Sequence, residues 1–257
     1  MGDELDAIRR PFGPADLQPL LKEASIDCAV VVQTVSSLDE TRELLAIAAA
    51  NRFIAGVVGW VDLTDRNVTA ALTALRASGP GGEKLVGIRH PVHDEADAEW
   101  LLRDDVQRGI AAVSEAGLVF DLLVRTRELP AALETARRHP HMQFVINHAA
   151  KPRIALGPRD RPWEDEMKHF AGLTNVACKL SGLFTEADLE KWTPAEVAPY
   201  VKRVVEWFGP ERCMFGSDWP MCLLTAKYSQ VVESIQSVVK DDARVFGGTA
   251  TRLYWLS

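Results

Sequence analysis

The stretch Cys213-Met214-Phe215-Gly216-Ser217-Asp218-Trp219-Pro220 is a short apolar run that ends in Gly-Ser-Asp and continues into Trp-Pro. This pattern predicts a buried strand whose end presents the carboxylate of Asp218 at the rim of a sheet. The carboxyl ends of parallel strands are where α/β enzymes carry their reacting groups. An aspartate before Trp-Pro can also do no more than cap the next turn, so the segment alone leaves both interpretations open.

Six more apolar runs precede this segment, and helical patterns separate them. The predicted strands cover residues 29–35, 53–61, 85–91, 118–124, 143–149, 176–181 and 213–217. The predicted helices cover residues 15–25, 37–50, 65–78, 96–116, 127–139, 161–171, 194–208, 225–240 and 241–256. Most strand runs are continuously apolar, which is typical of parallel strands covered on both faces.

This β/α alternation continues without a linker, so it predicts a single domain over residues 1–257. Such an order fits either an open doubly wound sheet or a closed barrel. The first strand is not followed by G-x-G-x-x-G, which weakens the dinucleotide-binding version and favours the barrel. The predicted barrel has seven strands in this chain, one fewer than the usual eight.

Composition restricts the partners. The chain of 257 residues has a formal net charge of −7, which argues against nucleic acid or an anionic membrane and favours a small-molecule substrate. No apolar stretch reaches membrane-spanning length. The four cysteines form no C-x-x-C pair and are expected to be reduced thiols, which predicts a cytoplasmic protein.

Polar residues occur where the predicted strands end. A histidine or arginine there is more often a hydrogen-bonded rim residue than a catalyst, but convergence of several at one barrel mouth favours a site. These residues are Gln33, Trp60, Asp62, Arg89, His90, Asn147, His148, Lys179, Ser181 and Asp218.

Side-chain alternation adds two expectations. His148 should share a strand face with Phe144 and Ile146, so that it points into the same cavity as Asp218. Asp121 lies inside its strand and must be paired or protonated, with Lys179 as the candidate partner. An internal ion pair and a functional role for these two residues are equally open.

Four motifs in this order resemble the lactonase branch of the amidohydrolase superfamily. The branch includes fuconolactonase-type, rhamnonolactonase-type and pyrone-dicarboxylate lactonases. The resemblance runs from about residue 12 to the carboxyl end. The motifs are Val-Gly-Ile-Arg-His at 86–90, Asn-His-Ala-Ala-Lys-Pro at 147–152, Lys-Leu-Ser-Gly-Leu at 179–183 and Met-Phe-Gly-Ser-Asp-Trp-Pro at 214–220.

The resemblance implies a distorted (β/α)8 TIM-type barrel that opens a lactone at its carboxyl-terminal rim. By position, Asp218 corresponds to the aspartate that activates water and His148 to the histidine that polarises the substrate carbonyl. Arg89 and His90 correspond to a basic pair that holds substrate oxygens. A lactone carbon needs a hydroxide equivalent and a donor for the developing oxyanion, which these residue types supply. Gln33, Trp60 and Lys179 complete the expected substrate-binding set.

One departure concerns metal binding. Members of the branch usually begin with a strand that carries His-x-His, whereas the first histidine of this sequence is His90. Either the reading frame begins downstream of its true start, or the chain is a variant without this strand. The expected edges of the barrel are then exposed and invite association into a homo-oligomer. His148 and Asp218 would be the metal ligands, too few for tight zinc binding, so the expectation is no required cofactor or a single divalent metal such as zinc.

Three alternatives stay open from the sequence. The first is a metal-dependent amide or phosphoester hydrolase, or a decarboxylase, on the same scaffold. The second is a catalytically impaired binding protein, because His-x-His is absent. The third is an aldolase-like barrel that uses Lys179 as a Schiff-base nucleophile.

Overall fold

A computed structural model describes residues 7–256 and contains, within that range, one sheet of seven parallel strands in chain order. Each of the seven predicted strands is confirmed, although all are shorter than predicted. The sheet is curled and corresponds to a distorted TIM-type barrel. The strands are β1 (Ala29–Val32), β2 (Ile54–Gly59), β3 (Leu85–His90), β4 (Val119–Leu122), β5 (Phe144–Ile146), β6 (Val176–Leu180) and β7 (Cys213–Phe215).

Helices connect the strands and cover the outside of the sheet. They are α1 (Pro14–Glu23), α2 (Leu38–Ala50), α3 (Val68–Arg76), α4 (Asp104–Glu115), α5 (Leu129–Arg138), α6 (Arg161–Met167), α7 (Pro194–Phe208), α8 (Tyr228–Val239) and α9 (Thr249–Leu253). None of the helices in residues 7–256 is long and apolar enough to cross a membrane.

Two predicted helices differ most from the structure. The helix predicted over 96–116 begins only at Asp104, because the Asp97 carboxylate accepts a hydrogen bond from the Glu99 amide at 2.9 Å and stabilises a turn instead. The helix predicted over 241–256 is divided into a wide turn at Arg244–Gly248 and the short α9. Two successive glycines, Gly247 and Gly248, explain this interruption.

The two faces of the sheet have different partners. Phe120, Phe144 and Ile146 point outward and join the large core formed with the helices. The inner face carries a smaller apolar cluster, in which residues of five strands contact the carboxyl-terminal segment of the chain. This inner cluster consists of Val58, Val119, Val145, Ala177, Met214, Leu253 and Tyr254.

The edges of the sheet lie at β1 and β7, which pair with β2 and β6 respectively and, among the described residues, not with each other. Apolar side chains cover the space beside them. Leu21 of α1 packs with Tyr228 and Val232 of α8, and Phe215 of β7 joins the same cluster. Phe215 also stacks on Phe246, with ring centroids 5.0 Å apart. Helix packing thus holds the two edge strands.

Candidate active site

The chain after β5 forms a left-handed turn that places His148. His148, Ala149, Ala150 and Lys151 have φ angles of 53°, 46°, 57° and 52°. L-residues with side chains avoid this region at a cost of about 1–2 kcal/mol each, so the surroundings must hold the turn. Trp163 contributes, because its indole N–H donates to the Ala149 carbonyl at 2.6 Å.

This turn corrects the expected alternation. His148 does not share a face with Phe144 and Ile146, which point outward into the helical layer. The inner face of β5 carries Val145 instead. His148 faces Asp218 because the left-handed turn redirects the backbone at the end of the strand.

His148 has a defined partner on each ring nitrogen. Nδ1 lies 2.9 Å from the Ser181 hydroxyl, and Nε2 lies 3.6 Å from Oδ1 of Asp218. The ring also requires Gly182, since a Cβ atom there would lie 2.5 Å from Nδ1. Burial, together with the positive charges of Arg89 and Lys151, holds the pKa of His148 well below its usual 6.5. The imidazole is therefore neutral at physiological pH.

Asp218 follows β7 with a φ of 56°, and its side chain is only 20% exposed. Burial raises the pKa of Asp218 from 3.8 to about 6, although nearby Lys151 and Arg89 act in the opposite direction. A carboxyl group with this pKa can take and return a proton near neutral pH. The distance of 3.6 Å between Asp218 Oδ1 and His148 Nε2 is longer than a hydrogen bond, so both groups can still bond to a substrate or a water.

A buried polar network lies beside this pair. The Asp121 carboxylate is fully buried and accepts hydrogen bonds from Asn147 Nδ2 at 3.0 Å, from Lys179 Nζ and from the Tyr254 hydroxyl at 2.7 Å. Asn147 Oδ1 in turn accepts from Arg89 at 3.2 Å. The ion pair between Asp121 and Lys179 that the sequence indicated is present.

Gln33 connects the first strand exit to this network. Its backbone carbonyl accepts a hydrogen bond from the Arg89 guanidinium, and its Nε2 donates to the Arg89 carbonyl at 3.3 Å. Gln33 is 1% exposed and Arg89 is 9% exposed. These bonds hold the two side chains at the bottom of the rim.

Trp60 and His90 form a separate wall. The Trp60 indole N–H donates to His90 Nδ1 at 3.1 Å, and His90 Nε2 lies 2.7 Å from Glu95 Oε1. Because Nδ1 accepts from Trp60, Nε2 carries the proton that Glu95 accepts. The ring also stacks on Trp100, with centroids 4.2 Å apart. Asp62, another polar strand exit, instead holds the following turn by accepting from the Thr64 amide at 2.9 Å.

Sequence reasoning assigned no role to Lys151, Arg125 and Glu186 at the mouth. Lys151 Nζ lies 2.5 Å from Glu186 Oε1, and Arg125 lies 3.1 Å from Glu186 Oε2. Lys151 stands inside one of the motifs, but nothing in the sequence pairs it with Glu186, 35 residues away. His93, which follows β3, adds a positive charge near His148 when it is protonated. No sequence motif indicated a role for Tyr254, near the carboxyl end of the chain.

A metal ion does not fit the described residues by themselves. Residues 7–256 contain no group of three or more histidine, cysteine, aspartate or glutamate side chains placed to hold one. His148 and Asp218 supply two donors, whereas zinc takes at least three protein ligands.

Comparison with known proteins matches this architecture to a family. The family model described as amidohydrolase matches residues 1–256. The chain belongs to the amidohydrolase family. This amidohydrolase is 42% identical to an L-fucono-1,5-lactonase of Burkholderia ambifaria over 97% of its own length and 87% of the relative's. It is 35% identical to an L-fucono-1,5-lactonase of Burkholderia multivorans, over 100% of its length and 90% of the relative's.

Solved structures agree. An amidohydrolase of Burkholderia multivorans, crystallised with bound HEPES, superimposes with a TM-score of 0.93 at 34% identity, covering 100% of this chain and 93% of the other. A second crystal form with bound zinc gives a TM-score of 0.91 at the same identity and coverage. These similarities confirm the resemblance to the lactonase branch.

Proposed function

We propose that this amidohydrolase hydrolyses a small sugar lactone of the L-fucono-1,5-lactone type. The observation that carries the proposal is the buried pair of Asp218 and a neutral His148, whose nearest atoms are 3.6 Å apart. The two Burkholderia lactonases, at 42% and 35% identity, support the substrate class.

In this mechanism Asp218 is the general base. Its carboxylate removes a proton from water while the water oxygen attacks the lactone carbonyl carbon. The pKa near 6 leaves Asp218 ionised at neutral pH and still basic enough to accept that proton. When the tetrahedral intermediate collapses, protonated Asp218 returns the proton to the departing ring oxygen. One lactone and one water thus give one hydroxy acid.

His148 stabilises the oxyanion. A neutral imidazole can donate from Nε2 to the carbonyl oxygen, provided that Nδ1 is the acceptor of its other hydrogen bond. The Ser181 hydroxyl satisfies this condition when it donates to Nδ1 across 2.9 Å. The neighbouring cations Arg89, Lys151 and Lys179 add favourable charge for the developing anion.

The substrate-binding assignments follow from position. Arg89 and Lys179 present donors for the hydroxyl groups of the lactone and for the carboxylate of the product. Gln33 fixes Arg89, and Trp60 and His90 form the wall beside it. The third alternative from the sequence, in which Lys179 is a Schiff-base nucleophile, is not favoured because its ammonium is paired with Asp121.

The cofactor is also part of the proposal. The two donors within residues 7–256 support catalysis without a cofactor, and the zinc-bound form of the Burkholderia multivorans protein supports a single divalent ion. Dialysis against a chelator, followed by assay with and without added zinc, separates the two versions. Activity that survives the chelator supports catalysis by Asp218 and His148 alone.

The remaining assignments have simple tests. We propose a single cytoplasmic domain that acts on small molecules, binds neither nucleic acid nor membranes and can self-associate. Sedimentation of the purified chain measures the oligomeric state, and limited proteolysis tests the single domain. Fractionation of the source cells tests the location.

The proposed hydrolysis is tested by measuring the proton that the hydroxy-acid product releases. Purified enzyme is mixed with a panel of sugar lactones, including L-fucono-1,5-lactone, at pH 7.5 in weak buffer with a pH indicator. Turnover of a 1,5-lactone above the spontaneous rate is the expected result. The absence of turnover for every lactone, by a folded protein assayed with and without zinc, would contradict the proposal.

A further inference from the structure

Tyr254 lies far from the mouth in sequence but contacts the polar network directly. It follows α9, is 1% exposed, and belongs to the apolar cluster on the inner face of the sheet. Its hydroxyl donates to Asp121 Oδ1 at 2.7 Å. The Lys179 ammonium lies 5.5 Å from the centre of its ring. The carboxyl-terminal segment therefore contacts both members of the buried ion pair.

The donors divide between the two carboxylate oxygens. Oδ2 of Asp121 accepts from Lys179 and Asn147, whereas Oδ1 accepts from Tyr254. Among the described residues, no other donor reaches Oδ1. A fully buried carboxylate needs its hydrogen bonds, so loss of the Tyr254 hydroxyl would make Asp121 rotate or attract Lys179 toward the vacated oxygen.

We propose that Tyr254 is a positioning residue of the site: through Asp121, its hydroxyl fixes the Lys179 ammonium and the Asn147 amide that contacts Arg89. The carboxyl-terminal segment of the chain then positions, through Asp121, the two proposed substrate-binding cations, Lys179 and Arg89. The kinetic part of this inference rests on the proposed lactonase function, and the structural part does not.

The test compares Tyr254→Phe with Tyr200→Phe. Tyr200 of α7 is also fully buried, and its hydroxyl donates to the Gly157 carbonyl at 2.7 Å, on the outer side of the sheet. Each variant keeps its ring and loses one buried hydrogen bond, so the melting temperature should fall in both, and further in Tyr254→Phe because its bond goes to a charged carboxylate. Only Tyr254→Phe should disturb the substrate-binding cations.

Two readouts separate positioning from packing. Tyr254→Phe should raise KM for L-fucono-1,5-lactone about tenfold while kcat changes less than about threefold, because a binding interaction is weakened. Acetylation of Lys179 by a brief pulse of acetic anhydride, measured by peptide mass spectrometry against exposed Lys202, should become about fivefold faster, because Lys179 loses its fixed position. Tyr200→Phe should leave KM and Lys179 labelling within about twofold of wild type.

A double-mutant cycle with Asp121→Asn tests the route. If Tyr254 acts through Asp121, adding Tyr254→Phe to Asp121→Asn raises KM no further. Equal KM and labelling effects in Tyr254→Phe and Tyr200→Phe would assign Tyr254 a packing role and overturn the inference. If wild type hydrolyses no lactone, the proposed function fails, and the labelling experiment alone decides the role of Tyr254.

Discussion

His90 ends β3 and His148 lies just after β5, yet the structure gives them opposite surroundings. His90 is held by Trp60 and Glu95 on its two ring nitrogens and by Trp100 on its face. His148 is held on Nδ1 by Ser181, while its Nε2 faces Asp218 across 3.6 Å. One histidine has both nitrogens occupied by the protein, and the other keeps one available for a substrate.

This difference explains how histidines at similar positions in the sequence can have different roles. A ring with both nitrogens bonded contributes shape and stability, because any substrate would have to displace an existing partner. A ring bonded on only one nitrogen is held in a fixed orientation and keeps its other nitrogen free to donate, which an oxyanion donor requires. Removing a partner from each region should therefore have unequal consequences for activity.

The largest effect is expected at Asp218. Asp218→Asn removes the general base and should lower kcat about 10³-fold, since a positioned base contributes about 10²–10⁴. Asparagine tolerates the positive φ at this position, so the fold should survive. Steady-state assays measure the loss, and Asp165→Asn, an exposed carboxylate paired with Lys168, is the control. A decrease of less than tenfold would remove Asp218 from the role of base.

The pH dependence of the same residue has a defined sign. Because the base must be ionised, kcat/KM of wild type should rise with pH through an apparent pKa near 6. The folded-state pKa is higher than the unfolded value of 3.8, so ionisation of Asp218 costs stability as pH rises through 6. Asp218→Asn should therefore be more stable than wild type at pH 8, by about 3 kcal/mol, and equally stable near pH 3. Urea unfolding at both pH values measures this difference.

An intermediate effect is expected from the partner of His148. Ser181→Ala removes the donor to Nδ1 and lets the imidazole adopt the tautomer with no proton on Nε2. We expect kcat to fall about tenfold with KM within about twofold. ¹⁵N spectra of the imidazole should show the change of tautomer.

Ser234 provides the matched control for this substitution. Its hydroxyl is also nearly buried and donates to a single carbonyl, that of Gln230 at 2.7 Å. Ser234→Ala should leave kcat within about twofold of wild type. Equal kcat in wild type and Ser181→Ala would show that Ser181 does not set the state of His148.

The smallest effect on catalysis is expected from the partner of His90. Glu95→Ala leaves the His90 ring bonded to Trp60 and stacked on Trp100, so kcat should stay within about twofold and KM within about threefold. Thermal unfolding should show a loss of about 1 kcal/mol, whereas Glu99→Ala, an exposed neighbour, should show none. A loss of kcat as large as that of Ser181→Ala would erase the distinction between the two histidines.

The sequence predicted the fold well because burial on both faces leaves a clear mark on parallel strands. The runs at 85–91 and 176–181 both appear as strands, with Arg89 bonded to Asn147 and Lys179 to Asp121 in the buried polar network. It also predicted the ion pair of Asp121 and Lys179, since a charge inside an apolar strand demands a partner.

The rest of the site depended on features that no local pattern contains. The alternation argument for His148 was wrong because it assumed extended backbone where a left-handed turn occurs. Tyr254 and Glu186 come from distant segments, so their contacts exist only after the chain has folded. The roles assigned to the individual site residues stay predictions until the variants are measured.

The left-handed turn from His148 to Lys151 has a consequence for protein engineering. Ala149, Ala150 and Lys151 hold free energy that glycine would release, because glycine adopts positive φ at little cost. A search for thermostable variants would therefore select glycine substitutions in this turn. The same substitutions would loosen the backbone that aims the imidazole, so stability gained there would be exchanged for catalytic precision.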